Sequence, residues 1–196
     1  MPKNKPISLI ITFIEALKTK EGYITGPNGE CIGAIKYLLN QTLRNYWIPK
    51  EHFLISEAAN NLWKTIQSKD MWNVFYKECV TVESEEPVYL DIYKGASNQF
   101  IRRPFSNGEK FCYKDVFHDD HIVPIDQIID ELVALETVDD ESVKRIIAKI
   151  YVCKMLKKED RELHNKTKRP SNVSDVINGI YSNNGIRVLG WTYPGK

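Results

Sequence analysis

The sequence predicts an α+β fold, with a helical N-terminal half and a C-terminal half that mixes strands and helices. Three observations carry this. Apolar residues recur at helical spacing through the first third of the chain. From Val80 the composition turns β-rich and is punctuated by Pro and Gly. Beyond Ile128, helical and strand-like segments alternate with no low-complexity linker between them. A chain of 196 residues, 42% hydrophobic and 27% charged, suits one domain, or one domain with a small appendage, around an ordinary core. The expected division is residues 1–80 as the helical region and 81–196 as the mixed region, the two sharing a core.

Ile7, Ile10, Ile11, Ile14 and Leu17 mark an amphipathic helix over Ile7 to Lys18. Thr25 to Gly29 is a turn by composition. Ile35, Leu38, Leu39, Leu43 and Trp47 predict a second helix from Ile32 to Trp47, ended by Pro49. Ser56, followed by Glu57, Leu62, Trp63 and Ile66, predicts a capped third helix. A short fourth helix is expected from Asp70 to about Glu78. Val80 to Val82 and Val88 to Tyr93 read as strands around Glu85-Glu86-Pro87. Asn107-Gly108, between Phe105 and Phe111, reads as a hairpin turn. Ile128 to Leu135 and Ser142 to Ala148 are helical, Ile150 to Leu156 a strand, and Lys157 to Lys166 a helix stopped by Pro170. Ile186 to Trp191 adds a last strand, with Gly190 a weak point.

The net charge of +1, from 27 basic and 26 acidic residues, conceals a strong asymmetry. Asp115 to Glu141 holds ten carboxylates and no Lys or Arg, while Lys144 to Lys196 holds twelve basic residues against four acidic ones. Two opposed local fields follow, or two solvated helix faces. Cys31, Cys79, Cys112 and Cys153 are scattered without a C-x-x-C pair, which excludes a zinc ribbon and predicts reduced thiols. The apolar Ile7 to Ile14 run is too short for a signal peptide or a span. A cytoplasmic location with no membrane partner is expected.

The stretch Phe117-His118-Asp119-Asp120-His121-Ile122-Val123-Pro124 concentrates four ionisable groups at consecutive positions beside apolar residues. Unpaired charges in such a strand cost several kcal/mol each, at order of magnitude. A bound cation offsets that cost, and carboxylates with imidazoles are suitable ligands. The alternative is a strand end leaving the core with solvated carboxylates. Downstream, the strand Ile150 to Leu156 leads directly into Lys157-Lys158-Glu159-Asp160-Arg161-Glu162-Leu163-His164-Asn165.

Asp120-His121-Ile122-Val123-Pro124, followed by that strand and helix, resembles the HNH (ββα-metal) endonuclease motif over roughly residues 111 to 170. The resemblance implies Asp120 as a metal ligand, His121 as general base, and Asp160 as a ligand near the start of the helix. His164, at i+4 on the same helix face, is implied as a third ligand, with Asn165 as its alternative. No Asn occupies the family's middle position; Tyr151 stands about there, and the loop after His121 is longer than usual. His118, three residues before His121, is expected on the opposite strand face in a supporting or packing role.

The resemblance further implies one divalent ion per active site, Mg²⁺ or Mn²⁺, and double-stranded DNA as substrate. Arg102, Arg103, Lys157, Lys158, Arg161, Lys168 and Arg169 are the expected phosphate-tracking residues. Residues 1–80 then serve DNA recognition or dimerisation, and 81–196 carry the catalytic module. A type II restriction-type enzyme, acting as a homodimer to cut both strands, is the first expectation. A phage, homing or nonspecific HNH nuclease, or a non-catalytic DNA-binding protein on an eroded HNH scaffold, are the alternatives.

Overall fold

A computed structural model describes residues 7–19, 30–46, 49–163 and 169–191. Its centre is a four-stranded mixed sheet built from β1 (Phe53–Ser56), β6 (Phe117–His121), β7 (Val152–Leu156) and β8 (Val188–Leu189), in the order β6-β7-β1-β8. β6 runs antiparallel to β7 in the register Phe117↔Leu156 to His121↔Val152, β7 runs parallel to β1, and β8 closes antiparallel on β1. Val152, Cys153, Lys154 and Met155 are all buried, as expected of a strand paired on both edges and covered on both faces.

Helices cover the sheet in groups. α1 (Ile7–Lys18) and α2 (Glu30–Arg44) pack with α5 (Ile125–Val133) and α6 (Asp140–Ile147), burying Ile10, Ile14, Leu39, Leu43, Ile128 and Leu132. α3 (Glu57–Ile66) and α4 (Tyr113–Val116) enclose a second core with Trp63, Leu90, Phe105 and Phe117. On the other sheet face, α8 (Val173–Asp175) runs into a π-helical segment, Val176–Tyr181, which lays Val176, Ile177 and Tyr181 against Cys153 and Met155. Outside the main sheet, β2 (Cys79–Thr81) pairs with β5 (Lys110–Cys112), and β3 (Val88–Lys94) with β4 (Gln99–Phe105). α7 (Lys157–Glu162) follows β7 without a connecting residue.

The mixed α+β class and most of the periodic elements agree with the sequence. α1 has its expected bounds, and Ser56 caps α3 by accepting the Ala59 N–H. Three expectations fail. Asp70 to Glu78 forms only a 3₁₀ turn at Met71–Asn73, because Trp63 Nε1 donates to the Lys69 carbonyl and the chain turns back under α3. Asn107-Gly108 does turn, with Gly108 at φ +83°, but the strands it joins pair elsewhere, β4 with β3 and β5 with β2. The final strand is only two residues long, since Gly190 at φ +76° ends it.

The expected boundary at 80/81 is crossed twice. β1 lies between β7 and β8, and α1 and α2 share a core with α5 and α6. The expected turn at Thr25 to Gly29 lies outside the described residues. Two further expectations fail. The second helix ends at Arg44, short of Trp47. The Lys157 helix ends at Glu162, where Leu163 is already extended, so it does not continue towards Lys166 and the helical i+4 spacing expected between Asp160 and His164 is not present. Among the described residues no helix is long and apolar enough to cross a membrane.

Candidate metal centre

β6 is the outer strand of the sheet, and its alternation sends Phe117 and Asp119 to one face and His118 and Asp120 to the other. On the first face, Asp119 accepts from Lys154 Nζ at 3.1 and 3.3 Å and from Tyr113 Oη at 2.9 Å. The Lys154 ammonium also donates to the Val74 carbonyl at 3.0 Å, and the residue is only 1% exposed. Lys154 is buried and Asp119 half-buried, and the pair is satisfied within the protein, so Asp119 holds the strand while also bordering the cavity lined by His118 and Asp120. Burial, reinforced by the Asp119 charge, pushes the Tyr113 hydroxyl well above its ordinary range.

On the second face, Asp120 Oδ2 accepts from Arg169 Nη1 at 2.6 Å and from Tyr181 Oη at 2.5 Å. Arg169 also donates to the His121 and Ile122 carbonyls at 3.1 and 3.3 Å, which fixes the end of the strand. Burial works against the guanidinium charge, but Asp120 and Tyr181 together outweigh it and raise the Arg169 pKa. Burial and Asp120 together raise Tyr181 well above its usual value. With Oδ2 committed, the other carboxylate oxygen is the one that can serve an incoming ligand.

Asp160 reaches this face from α7. The helix starts at Lys157 because the Glu159 carboxylate turns back to accept the Leu156 N–H at 2.8 Å and the Ser56 hydroxyl at 2.6 Å. That fold-back aims Asp160 inward, 7% exposed. His118 Nε2 lies 3.7 Å from Asp160 Oδ1. One ligand atom each from His118, Asp120 and Asp160 lie within 4.8 Å of one another. Lys157 Nζ stands beside them, 3.2 Å from His118 Nδ1 and 3.6 Å from Asp160 Oδ2.

The three side chains open onto a cavity of about 240 Å³ that is also bordered by His121, Arg44 and Asp126. β6 ends at His121 and Pro124 stands at the N-cap of α5, and Ile125 and Asp126 at the start of that helix border the cavity. Burial, assisted by the Arg44 guanidinium and opposed by Asp120, lowers the His121 pKa to about 4. Burial also lowers His118, with Asp160 opposing and Lys157 assisting. Both imidazoles are therefore neutral near pH 7, with a lone pair available to accept a proton or a cation.

The donor set of one imidazole and two carboxylates fits a divalent ion of the Mg²⁺ to Mn²⁺ range. Its members come from two elements locked by independent anchors: Arg169 and Tyr181 for Asp120, Glu159 for the helix bearing Asp160. Such outer contacts orient ligands and fix their geometry.

Of the residues singled out in the sequence, Asp120, His121 and Asp160 meet at one cavity. His164, Asn165 and Lys168 fall outside the described residues. His118, expected to face away, joins Asp120 and Asp160, because positions 118 and 120 share a strand face, while His121, the last residue of the strand, borders the same cavity. Arg169, expected on a DNA-facing surface, is buried with its guanidinium on Asp120. Lys158 is exposed, and Arg161 lies over the Tyr93 ring at 5.3 Å. Arg102 and Arg103 lie exposed on β4.

Arg44 and Tyr181 were invisible to sequence reasoning. Neither lies near the motif in the chain, and no spacing links them to it; only packing of α2 and of the π-helical segment brings them in. Comparison with family models, curated proteins and solved structures finds no match to this chain.

Proposed function

We propose that the chain is a divalent-metal-dependent endonuclease of the HNH kind that hydrolyses phosphodiester bonds in double-stranded DNA, of restriction type. The observation that carries this reading is the convergence of Asp120 and Asp160, from a strand and a helix far apart in sequence, with His118 beside the neutral imidazole of His121. Asp120, Asp160 and His118 would hold the ion, which supplies Lewis-acid stabilisation of the charge that builds on the phosphate and the leaving 3′ oxygen.

The chain's own residues account for the remaining steps. His121 takes a proton from the attacking water on an unprotonated ring nitrogen. Arg44, which borders the same cavity and, unlike Arg169, is not paired to Asp120, binds a non-bridging phosphate oxygen. Asp119 and Lys154 keep the strand rigid behind the reacting groups. Arg102, Arg103, Lys157, Lys158 and Arg161 supply positive charge along the approach.

A second reading has its own observation. Asp120 is satisfied by Arg169 and Tyr181, and Asp160 lies beside Lys157, without any metal. This favours a non-catalytic scaffold whose charges are neutralised internally. Incubation with plasmid and phage DNA in Mg²⁺ or Mn²⁺ separates the two. Cut DNA that disappears with His121→Ala, while duplex binding persists, supports the nuclease. Discrete bands mark a restriction-type enzyme, and a smear a nonspecific one. An uncut plasmid under all divalent ions, or a His121→Ala variant cutting as fast as the parent, sinks it.

A further inference from the structure

Strands β3 and β4 pair continuously from Val88↔Phe105 to Lys94↔Gln99, which makes a ribbon roughly 20 Å long. Val88, Leu90, Ile92 and Phe105 root it in the core. Among the described residues β4 has no second neighbour, and residues Ile101 to Pro104 are exposed along it. A bare edge of this kind invites strand addition from another protein. Here Pro104 and two adjacent arginines oppose that.

The arginines are poised without being neutralised. Arg102 and Arg103 are 68% and 51% exposed, and their nearest carboxylates, Asp91 and Glu109, stand 4.0 and 3.8 Å away; exposed pairs of that length are weak. Arg102 rests over the Tyr89 ring at 5.7 Å and Arg103 over Phe105 at 3.8 Å. Aromatic contacts therefore hold both guanidiniums in place while leaving their charge available.

The tip of the ribbon is bolted to α7. Asn98, in the left-handed region at φ +53°, accepts from Tyr93 Oη at 2.8 Å and from Arg161 Nη2. Lys157 and Arg161 both lie over the Tyr93 ring, at 5.7 and 5.3 Å. Lys157 is the same residue that stands 3.2 Å from His118. By alternation and register Tyr89, Asp91, Tyr93 and Arg102 share the outer ribbon face, while Arg103 lies on the opposite face beside Leu90 and Phe105; Lys157 and Arg161 over Tyr93 link the outer face to the metal centre.

We propose that this β3–β4 ribbon, locked to α7, docks duplex DNA by lying in the major groove and presenting the adjacent backbone to the Asp120–Asp160 cavity. The proposal rests on the nuclease reading above for the nature of the substrate. A two-stranded ribbon matches the groove, about 12 Å wide. Excess positive charge on an edge closed to strand addition fits a polyanion better than a protein strand.

The test uses the full chain and a short B-form duplex in EDTA, so that binding is read without cleavage. Dimethyl sulfate methylation of guanine N7 reports the major groove, and netropsin competition reports the minor groove. Protected N7 positions and insensitivity to netropsin are expected. Arg102→Ala with Arg103→Ala should weaken binding by about tenfold or more and make the salt dependence shallower by about two units of slope. Arg102→Lys with Arg103→Lys, which keeps the charge, should stay within about threefold of the parent. Absence of duplex binding, unprotected N7 with displacement by netropsin, or unchanged affinity in the double alanine variant each overturn the proposal. If the parent then cuts DNA in Mg²⁺ or Mn²⁺, the nuclease reading survives that failure. If the ribbon docks and nothing is cut, the ribbon survives and the nuclease reading fails.

Discussion

Asp120 is the residue on which the centre turns, and its two donors differ in kind. Arg169 brings a charge into a site where it is 6% exposed, and its Nε finds no acceptor among the described residues. Tyr181 brings a neutral hydroxyl. Arg169→Met should therefore leave Asp120 as an uncompensated buried carboxylate and cost about 3–5 kcal/mol, whereas Tyr181→Phe should cost about 1 kcal/mol. Urea unfolding of the two variants measures both, and equal losses would refute the assignment of Arg169 as the principal counter-ion. A further difference appears in ion binding. Tyr181→Phe, which keeps the fold, should weaken Mn²⁺ affinity by about 10–100-fold, since it frees the carboxylate to swing away. His118 shows how narrowly such roles depend on register: counting from His121 puts it on the wrong face, and counting from Asp120 puts it on the right one.

At the scale of elements, the junction of β7 with α7 depends on one small cluster. Ser56 caps α3 and at the same time donates to Glu159, which in turn caps α7. Ser56→Ala should cost about 1–2 kcal/mol, more than an isolated cap, because it strands a partly buried carboxylate as well. Thermal melts check this, and a loss no larger than that of an ordinary exposed serine would contradict it. Glu159 also carries a pH signature. Burial raises its pKa against the hydrogen bonds from Ser56 and Leu156. The folded state therefore binds this proton more tightly than the unfolded chain, whose value is near 4.5. The stabilisation from Glu159 is complete below that value and is lost as pH rises through the folded pKa. Glu159→Gln should remove that decline, so the stability gap between parent and variant should shift in favour of the variant from pH 4 towards neutrality. Parallel pH dependences of the two proteins would exclude the mechanism.

Over the whole molecule, the helical half is structural support for the centre and cannot be separated from it. β1 fills the gap between β7 and β8, and α2 carries Arg44 to the cavity. A fragment of residues 81–196 should therefore fail to fold, since β7 would lose its parallel neighbour and the core formed with Ile10, Ile14, Leu39 and Leu43. Circular dichroism and amide exchange of that fragment decide this, and a cooperative native-like melt would show that the C-terminal half stands alone. The acidic segment also takes its place at this scale. α5 and α6 turn their apolar stripes to the core and their carboxylates outward, while Asp126 alone borders the cavity. The acidic and basic segments meet: Glu131 pairs with Lys149, Asp140 with Lys144 and Asp120 with Arg169.

What the sequence by itself determined was the local grammar. The 3.6-residue spacing of α1, α5 and α6, the Ser56 cap, the Gly190 stop and the clustering of charge at Asp119, Asp120 and His121 all follow from short-range physics. Each is decided within a few residues. Tertiary structure alone decided who meets whom. Phe53–Ser56, four residues with no distinctive pattern, became the middle of the sheet because β7 offered an unpaired edge. Asp70 to Glu78 lost its helix to a tertiary turn. Arg169 moved from an expected DNA contact to a buried counter-ion, and Arg44 arrived from a distant helix. Charge pairing in a low-dielectric interior rewards whichever partner packing brings within reach, and sequence spacing holds no record of that.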